Sequence, residues 1–239
     1  MIKLFNLNIE GDKHIDRIIS FLQKEKLDIV CFQEVFQVDL PHFEAVLGMQ
    51  SCFTPTMDIQ DENPFLARKG IWGLAIFIKQ KITSFDSYYY VGERSKIPRF
   101  NKENPNSGNR AISWITFEIQ GKMYTVATTH FTWSPDGEAT DRQKSDMEKL
   151  LIRLKQIEPF ILCGDFNAPR GKAIFQKLVK TYTDNIPKKI SSTIDPVLHR
   201  EGNLDFVVDG LFTTSHFHVK NIRIIEGLSD HKGIYATIV

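Results

Sequence analysis

A chain of 239 residues, 42% of them hydrophobic, is long enough for one large core or two small ones. Its formal net charge of +1 excludes a whole-surface field that would draw in polyanions, so any contact with nucleic acid has to be local. Three cysteines leave an odd count, and Cys31 and Cys163 fall inside apolar runs, which reads as buried thiols in a reducing, cytoplasmic setting.

Residues 2–9 read as a strand that opens with no basic leader ahead of it. Ile15, Ile18, Ile19 and Leu22 then share one helical face, with Asp12 as the expected cap. Asp28 to Phe32 is a second strand, apolar on both faces and so expected to be central. Strands follow at 71–79 and within 110–130, where Gln120-Gly121 marks a hairpin turn. Met147, Leu150, Leu151 and Leu154 define a second amphipathic helix, and Pro159 to Cys163 another buried strand. A short helix near 171–180 and strands near 204–208, 217–225 and 233–238 complete the chain. No apolar run is long enough to span a bilayer, and no linker divides the sequence, so one domain over 1–239 and a monomer are expected.

Strands outnumber helices, and both crossovers and hairpins occur. That mixture predicts an α/β fold with two mixed sheets packed face to face and helices outside, a four-layer αββα sandwich, because that arrangement covers every apolar face. Residues 92–110 break the pattern. In this stretch Arg94, Lys96, Arg99, Lys102 and Arg110 outweigh Glu93 and Glu103. It reads either as a solvated surface loop or as a clamp for a phosphate backbone, with Phe100 available for stacking.

Five short acidic and amide segments sit at the ends of strand-like runs: Asn8-Ile9-Glu10-Gly11, Gln33-Glu34, Gly164-Asp165-Phe166-Asn167, Asn203-Leu204-Asp205 and Ser229-Asp230-His231. Strand ends are where a sheet presents side chains to a ligand. Carboxylates, amides and one imidazole suit metal-assisted attack on a phosphate: hard oxygens hold Mg²⁺, a carboxylate activates water, and the imidazole stabilises what leaves. Such oxygens favour Mg²⁺ or Mn²⁺ over Zn²⁺, and no Cys/His pair has zinc-like spacing.

In this order, together with Thr129-His130, the segments resemble the endonuclease/exonuclease/phosphatase superfamily. That superfamily includes abasic-site endonucleases, tyrosyl-DNA phosphodiesterases, deadenylases and several phosphatases. The resemblance runs over essentially the whole chain. It implies Glu34 as principal Mg²⁺ ligand, with Asn8 and Asp230 completing or bracing the metal site and Glu10 just behind them. It further implies Asp165 as the base for the attacking water and Asn167 as a holder of water or of a phosphate oxygen. His231 would contact the phosphate, Asp205 would orient His231, and His130 would donate to a non-bridging oxygen. Arg110 is the candidate for the arginine that often follows the central loop in that superfamily. Glu10 departs from the Asp that several members carry. Asp209 reads as a turn or surface residue, and His14, His42, His199, His216 and His218 as surface histidines. Trp133, directly after His130, and Arg99 in the basic loop are candidate substrate contacts.

Three functions compete on this evidence. The first is a Mg²⁺-dependent nuclease or DNA-repair phosphodiesterase, favoured by the basic loop and by Asp141-Arg142-Gln143 beyond His130. The second is a phosphatase or phosphodiesterase for a small phosphorylated molecule or lipid head group. The third is an inactive binding module, ranked last because every motif position holds a competent residue.

Overall fold

The computed structural model describes residues 1–60 and 66–239. The first sheet contains β1 (Ile2–Asn8), β2 (Ile29–Phe36), β3 (Gln50–Ile59), β4 (Gly70–Ile78), and, from the far end of the chain, β11 (Val219–Ile225) and β12 (Gly233–Ile238). The second contains β5 (Ile82–Val91), β6 (Arg110–Ile119), β7 (Lys122–His130), β8 (Ile161–Asp165), β9 (Thr183–Asp184) and β10 (Asp209–Thr213). Strand order is β11-β12-β1-β2-β4-β3 in one and β5-β6-β7-β8-β10-β9 in the other. Each sheet has a single parallel pair at its centre, β1 with β2 and β7 with β8. Helices α1 (Ile15–Leu22) and α2 (Leu40–Leu47) cover the first sheet; α3 (Asp141–Gln156) and α4 (Ala173–Val179) cover the second. The expected four-layer sandwich is the observed one. No helix among the described residues is long and apolar enough to cross a membrane.

The central strands are buried on both faces, and their alternation sorts residues between two cores. Ile2, Leu4, Ile29 and Cys31 meet Val126, Ile161 and Cys163 between the sheets. Phe5, Leu7, Val30 and Phe32 point the other way, onto Ile18, Leu22 and Phe43 of the helices. On the second sheet Met147, Leu150 and Leu154 fulfil the predicted helical stripe.

Along the inward faces a gradient runs from apolar to polar: Ile2-Leu4-Asn6-Asn8 in β1, Ile29-Cys31-Gln33 in β2, Val126-Thr128-His130 in β7 and Ile161-Cys163-Asp165 in β8. Gln33 Nε2 donates to Asn6 Oδ1 and to Thr128 Oγ1, each at 2.8 Å, tying the sheets together where the apolar core ends. Buried amides need such partners, so the core closes on a hydrogen-bonded floor and the next residues along each strand form the site.

Several expectations need correction. Asp12 does not cap α1; His14 holds the cap position, and Asp12 Oδ2 accepts from Arg68 N at 2.9 Å. No strand forms at 204–208. The strand begins at Asp209, because residues 206–208 are bonded instead to Leu204, Thr193, Phe166 and Arg170. The sequence reading also missed α2, β3 and β5. Within the 92–109 connection, Phe100 packs against Phe36, Met57, Ile59 and Trp72 and is not free to stack on a base. Arg94 is spent on Asp86 at 2.9 Å.

Candidate active site

The C-terminal ends of both parallel pairs open onto the same edge of the sandwich. Asn8 ends β1 and His130 ends β7, directly opposite Asp165 of β8. Asp209 opens β10 in register with Asp165, and His231 stands just before β12. Glu34 lies in an irregularity of β2, where pairing with β4 shifts between Phe32 and Val35, and its φ is +60°. A bulge with a non-glycine residue in the left-handed region stores strain, and it re-aims the carboxylate out of the regular alternation.

Asp165 Oδ2 is the focal atom. Asn8 Nδ2 donates to it at 3.2 Å, His130 Nε2 stands 3.5 Å away and His231 Nε2 3.8 Å away. The other oxygen, Oδ1, accepts from Asn167 N at 2.8 Å. His130 Nε2 also lies 3.7 Å from Glu34 Oε1. Gly164 makes this placement possible. Its φ is +147°, and a Cβ there would lie 2.0 Å from Thr129 O, so only glycine lets β8 approach β7 this closely. Asn167, at φ +47°, turns its amide back to donate to Phe131 O at 3.0 Å.

His231 Nδ1 meets Asp209 Oδ2 at 2.9 Å, and Asp209 is fully buried. Thr193 holds this pair from behind. Its Oγ1 accepts from Val208 N and Asp209 N, each at 3.0 Å, its backbone N donates to Phe206 O, and its carbonyl accepts from Lys232 N at 2.7 Å. One residue thus straps the segment carrying Asp209 to the segment carrying His231.

The electrostatics divide the two histidines. Burial works against charging His231, but the Asp209 carboxylate, then Asp165 and Asp230, outweigh it and hold the ring well above its ordinary pKa, as an imidazolium. Burial, reinforced by Arg110 and His231, drives His130 well below its ordinary value and favours the neutral ring. Burial and the neighbouring Asp230 raise Glu34 to about 8, and burial also raises Asp165 and Asp230. A cation would relieve three carboxylates that resist ionisation together, and Glu34 and Asp230 could supply the hard oxygens a divalent ion prefers. Asn8 turns its amide nitrogen to Asp165 while its Oδ1 accepts from Glu10 N at 3.2 Å, an arrangement that fits the bracing half of its expected role. Asp165, Asp209 and His231 also bring one donor atom each within 4.8 Å of one another. The Asp209–His231 hydrogen bond accounts for that proximity, since it occupies Nδ1 and leaves only Nε2 facing Asp165.

A sequence model of the Endonuclease/Exonuclease/phosphatase family matches residues 5–231. The chain belongs to this family. Its members are phosphoesterases, generally dependent on a divalent metal, and this chain is a hydrolase of that type. No curated protein sequence matches it. Among solved structures the human Nocturnin catalytic domain with bound sulfate is 18% identical with a TM-score of 0.71, covering 100% of this chain and 93% of the other. D. rerio TDP2 complexed with a single-strand DNA product is 14% identical with a TM-score of 0.69, covering 100% and 98%. A Bacteroides thetaiotaomicron mannosyl-6-phosphatase is 15% identical with a TM-score of 0.70, covering both chains fully. At such identities the likeness is one of fold.

Within this family frame the aspartate beside the imidazole is Asp209, not Asp205. Asp205 is exposed, four residues upstream of the strand, and has no contact with His231. Asp209, read from sequence as a turn or surface residue, is the one that the fold sets against His231. The usable signal was Val208-Asp209-Gly210-Leu211-Phe212, an acid opening an apolar strand, with glycine at a position where a Cβ would strike Phe212 and Phe166. Glu10 pairs with Lys13 and His14, and His14, read as a surface histidine, is largely buried against it. His199, likewise read as a surface residue, is half-buried and within electrostatic reach of Asp230 and Glu10.

Arg110 opens β6, buried, and donates to Pro105 O at 3.2 Å and to Asn106 Oδ1 at 3.4 Å; its charge reaches Glu34 and Asp165. Trp133 is 40% exposed beside the opening, with its backbone N held by Asn106 Oδ1. Arg99 is exposed, and its backbone lies beside Asp58 of β3 in an isolated bridge made by the flanking Pro98 and Phe100.

Proposed function

We propose that this protein hydrolyses phosphodiesters with Mg²⁺, or Mn²⁺ in its place, through a water activated by Asp165, and that its substrate is a nucleic acid. The observation that carries the reading is the convergence of Asn8, His130 and His231 on Asp165 Oδ2. A carboxylate whose pKa is raised by burial, with an amide donor at 3.2 Å and two imidazole nitrogens within 3.8 Å, suits proton abstraction from water. Glu34 and Asp230 would hold the metal, which when bound would supply charge neutralisation for the phosphate. Water oxygen bonds to phosphorus, its proton passes to Asp165, and the ester P–O bond opposite breaks, its electron pair leaving with the departing oxygen, which takes a proton from solvent. His231, charged and oriented by Asp209, and neutral His130 donate to the phosphate oxygens as negative charge builds there; each such donor is typically worth about 3 kcal/mol in the transition state. Asn167 anchors the Asp165 turn, and Arg110 and Trp133 flank the entrance. The free thiols of Cys31, Cys52 and Cys163 suit a cytoplasmic location.

A second reading, a small phosphorylated substrate, draws on the fate of the basic loop: Arg94 is neutralised by Asp86 and Phe100 is packed inward, which leaves less of a polyanion clamp than its composition promised. The test is hydrolysis of bis-p-nitrophenyl phosphate, single-stranded DNA and 5′-tyrosyl DNA, with Mg²⁺ or EDTA, by wild type and Asp165→Asn. Metal-dependent cleavage of a DNA substrate that the variant loses supports the first reading. Cleavage of the small diester alone favours the second, and no turnover of any of them rejects both.

A further inference from the structure

The 92–109 connection is not a slack loop. Asn109 N donates to Thr56 O at 2.9 Å, and its side-chain amide donates to Glu93 O at 2.9 Å and to Lys96 O at 2.8 Å, pinning both ends of the excursion to each other and to the first sheet. Gly92, at φ +74°, makes room for this amide: a Cβ there would stand 1.8 Å from Asn109 Oδ1. A loop fixed in this way encloses a groove of about 430 Å³ between itself and the start of α3.

Lys96 and Arg142 line the groove, with Glu93 as the one opposing charge and Asn106 at its inner end. The Lys96 ammonium has no hydrogen-bond or ion-pair partner among the described residues. Arg142 is 43% exposed; one amino group donates to Asn106 O at 3.2 Å, and Nε stands 3.8 Å from Asp146. Asn106 joins the groove to the active site, since its Oδ1 receives Arg110 on one side and Trp133 N on the other. A path of positive charge therefore leads from the carboxylate cluster through Arg110 to Arg142 and Lys96. A strongly hydrated, unpaired lysine next to a half-exposed arginine is what a phosphate needs, and the volume admits the phosphate with the sugar that carries it.

We propose that this groove is a second anion subsite, which takes a phosphate neighbouring the one being hydrolysed. The inference rests on the phosphodiesterase reading above. It makes the preferred substrate one with two phosphates on adjacent positions, either within an oligonucleotide or on a single nucleoside.

The test compares wild type with Lys96→Gln/Arg142→Gln on the p-nitrophenyl ester of thymidine 5′-phosphate, the same ester carrying a 3′-phosphate, and a thymidine trinucleotide. The 3′-phosphate should raise wild-type kcat/KM about tenfold or more, mainly through KM, and the double variant should lose that preference. A further rise with the trinucleotide assigns the second phosphate to a polymer; no further rise assigns it to a free nucleotide. Equal preference in wild type and variant overturns the subsite. Calorimetric binding of thymidine 3′,5′-bisphosphate against thymidine 5′-monophosphate decides the matter without turnover. Tighter bisphosphate binding that the variant abolishes upholds the subsite even if no ester is cleaved, a result that would reject the hydrolytic reading alone. Equal binding of the two nucleotides rejects the subsite.

Discussion

His231 Nδ1 and Asp209 Oδ2 lie 2.9 Å apart in a buried setting, and this contact fixes which ring nitrogen faces the reacting groups. Removing one partner leaves the other unbalanced away from water, which is costlier than losing an exposed pair. Asp209→Asn should therefore lower kcat on bis-p-nitrophenyl phosphate by about 10²–10³-fold, the scale of losing one oriented donor. Asp205→Asn, on an exposed residue, should stay within about twofold of wild type. Steady-state kinetics of the two variants side by side checks the assignment, and the reverse ranking would sink it.

Thr193 carries no chemistry of its own yet accepts from two backbone N–H groups at Val208 and Asp209. Thr193→Val keeps the shape and orphans both donors, so it should cost about 1–3 kcal/mol of stability and reduce kcat with little change in KM. Thr193→Ser restores the acceptor and should restore kcat. A Thr193→Val protein with lowered Tm but unaltered kcat would show that the strap supports only the fold.

Glu34 binds a proton in the folded state up to a pH of about 8, against an ordinary value of 4.5. The folded state then binds more protons than the unfolded one between those values, so without metal this group makes stability fall as pH rises through that window. Under the proposed function Mg²⁺ would have to displace that proton, and its affinity should climb with pH until about 8. Melting curves at pH 6 and pH 8.5, with EDTA or Mg²⁺, should show a larger Mg²⁺-induced rise in Tm at the higher pH. Glu34→Gln should flatten the difference, and an equal rise at both values in wild type would contradict the argument.

Gly164 sits where any side chain would meet Thr129 O at 2.0 Å, with a backbone that L-residues avoid. Gly164→Ala should cost about 3 kcal/mol or more, or prevent soluble expression, because the two strands cannot separate without breaking the central parallel pair. Urea denaturation gives the number; a change below 1 kcal/mol would mean the strands yield more easily than the contact implies.

Much of this site was legible because its residues sit where strand alternation says they should. In β1, β7 and β8 the inward positions change from Leu4, Val126 and Cys163 to Asn8, His130 and Asp165 at one end, and the sequence spells that change directly. The failures share a cause. Asp205 and Asp209 stand four residues apart on a segment whose pairing depends on Thr193 and Phe166, both remote in sequence, so local pattern could not say where the strand begins. Glu34 was found from its place after a buried strand, but the bulge that turns it was invisible, since its cause is the pairing of β2 with β4. The strand β5 escaped notice because its exposed, polar face resembles a loop, and Arg94 looked available because its partner Asp86 lies on that same unread strand.

The pairing of β1 with β12, Ile2 opposite Ile238, has a consequence for biosynthesis. The strand that carries Asn8 leaves the ribosome long before the strand that follows His231. Until β12 docks, β1 presents an unsatisfied edge and the imidazole of His231 is missing from its place beside Asp165. Nascent or truncated chains that lack β12 should therefore be catalytically silent and prone to edge-on association.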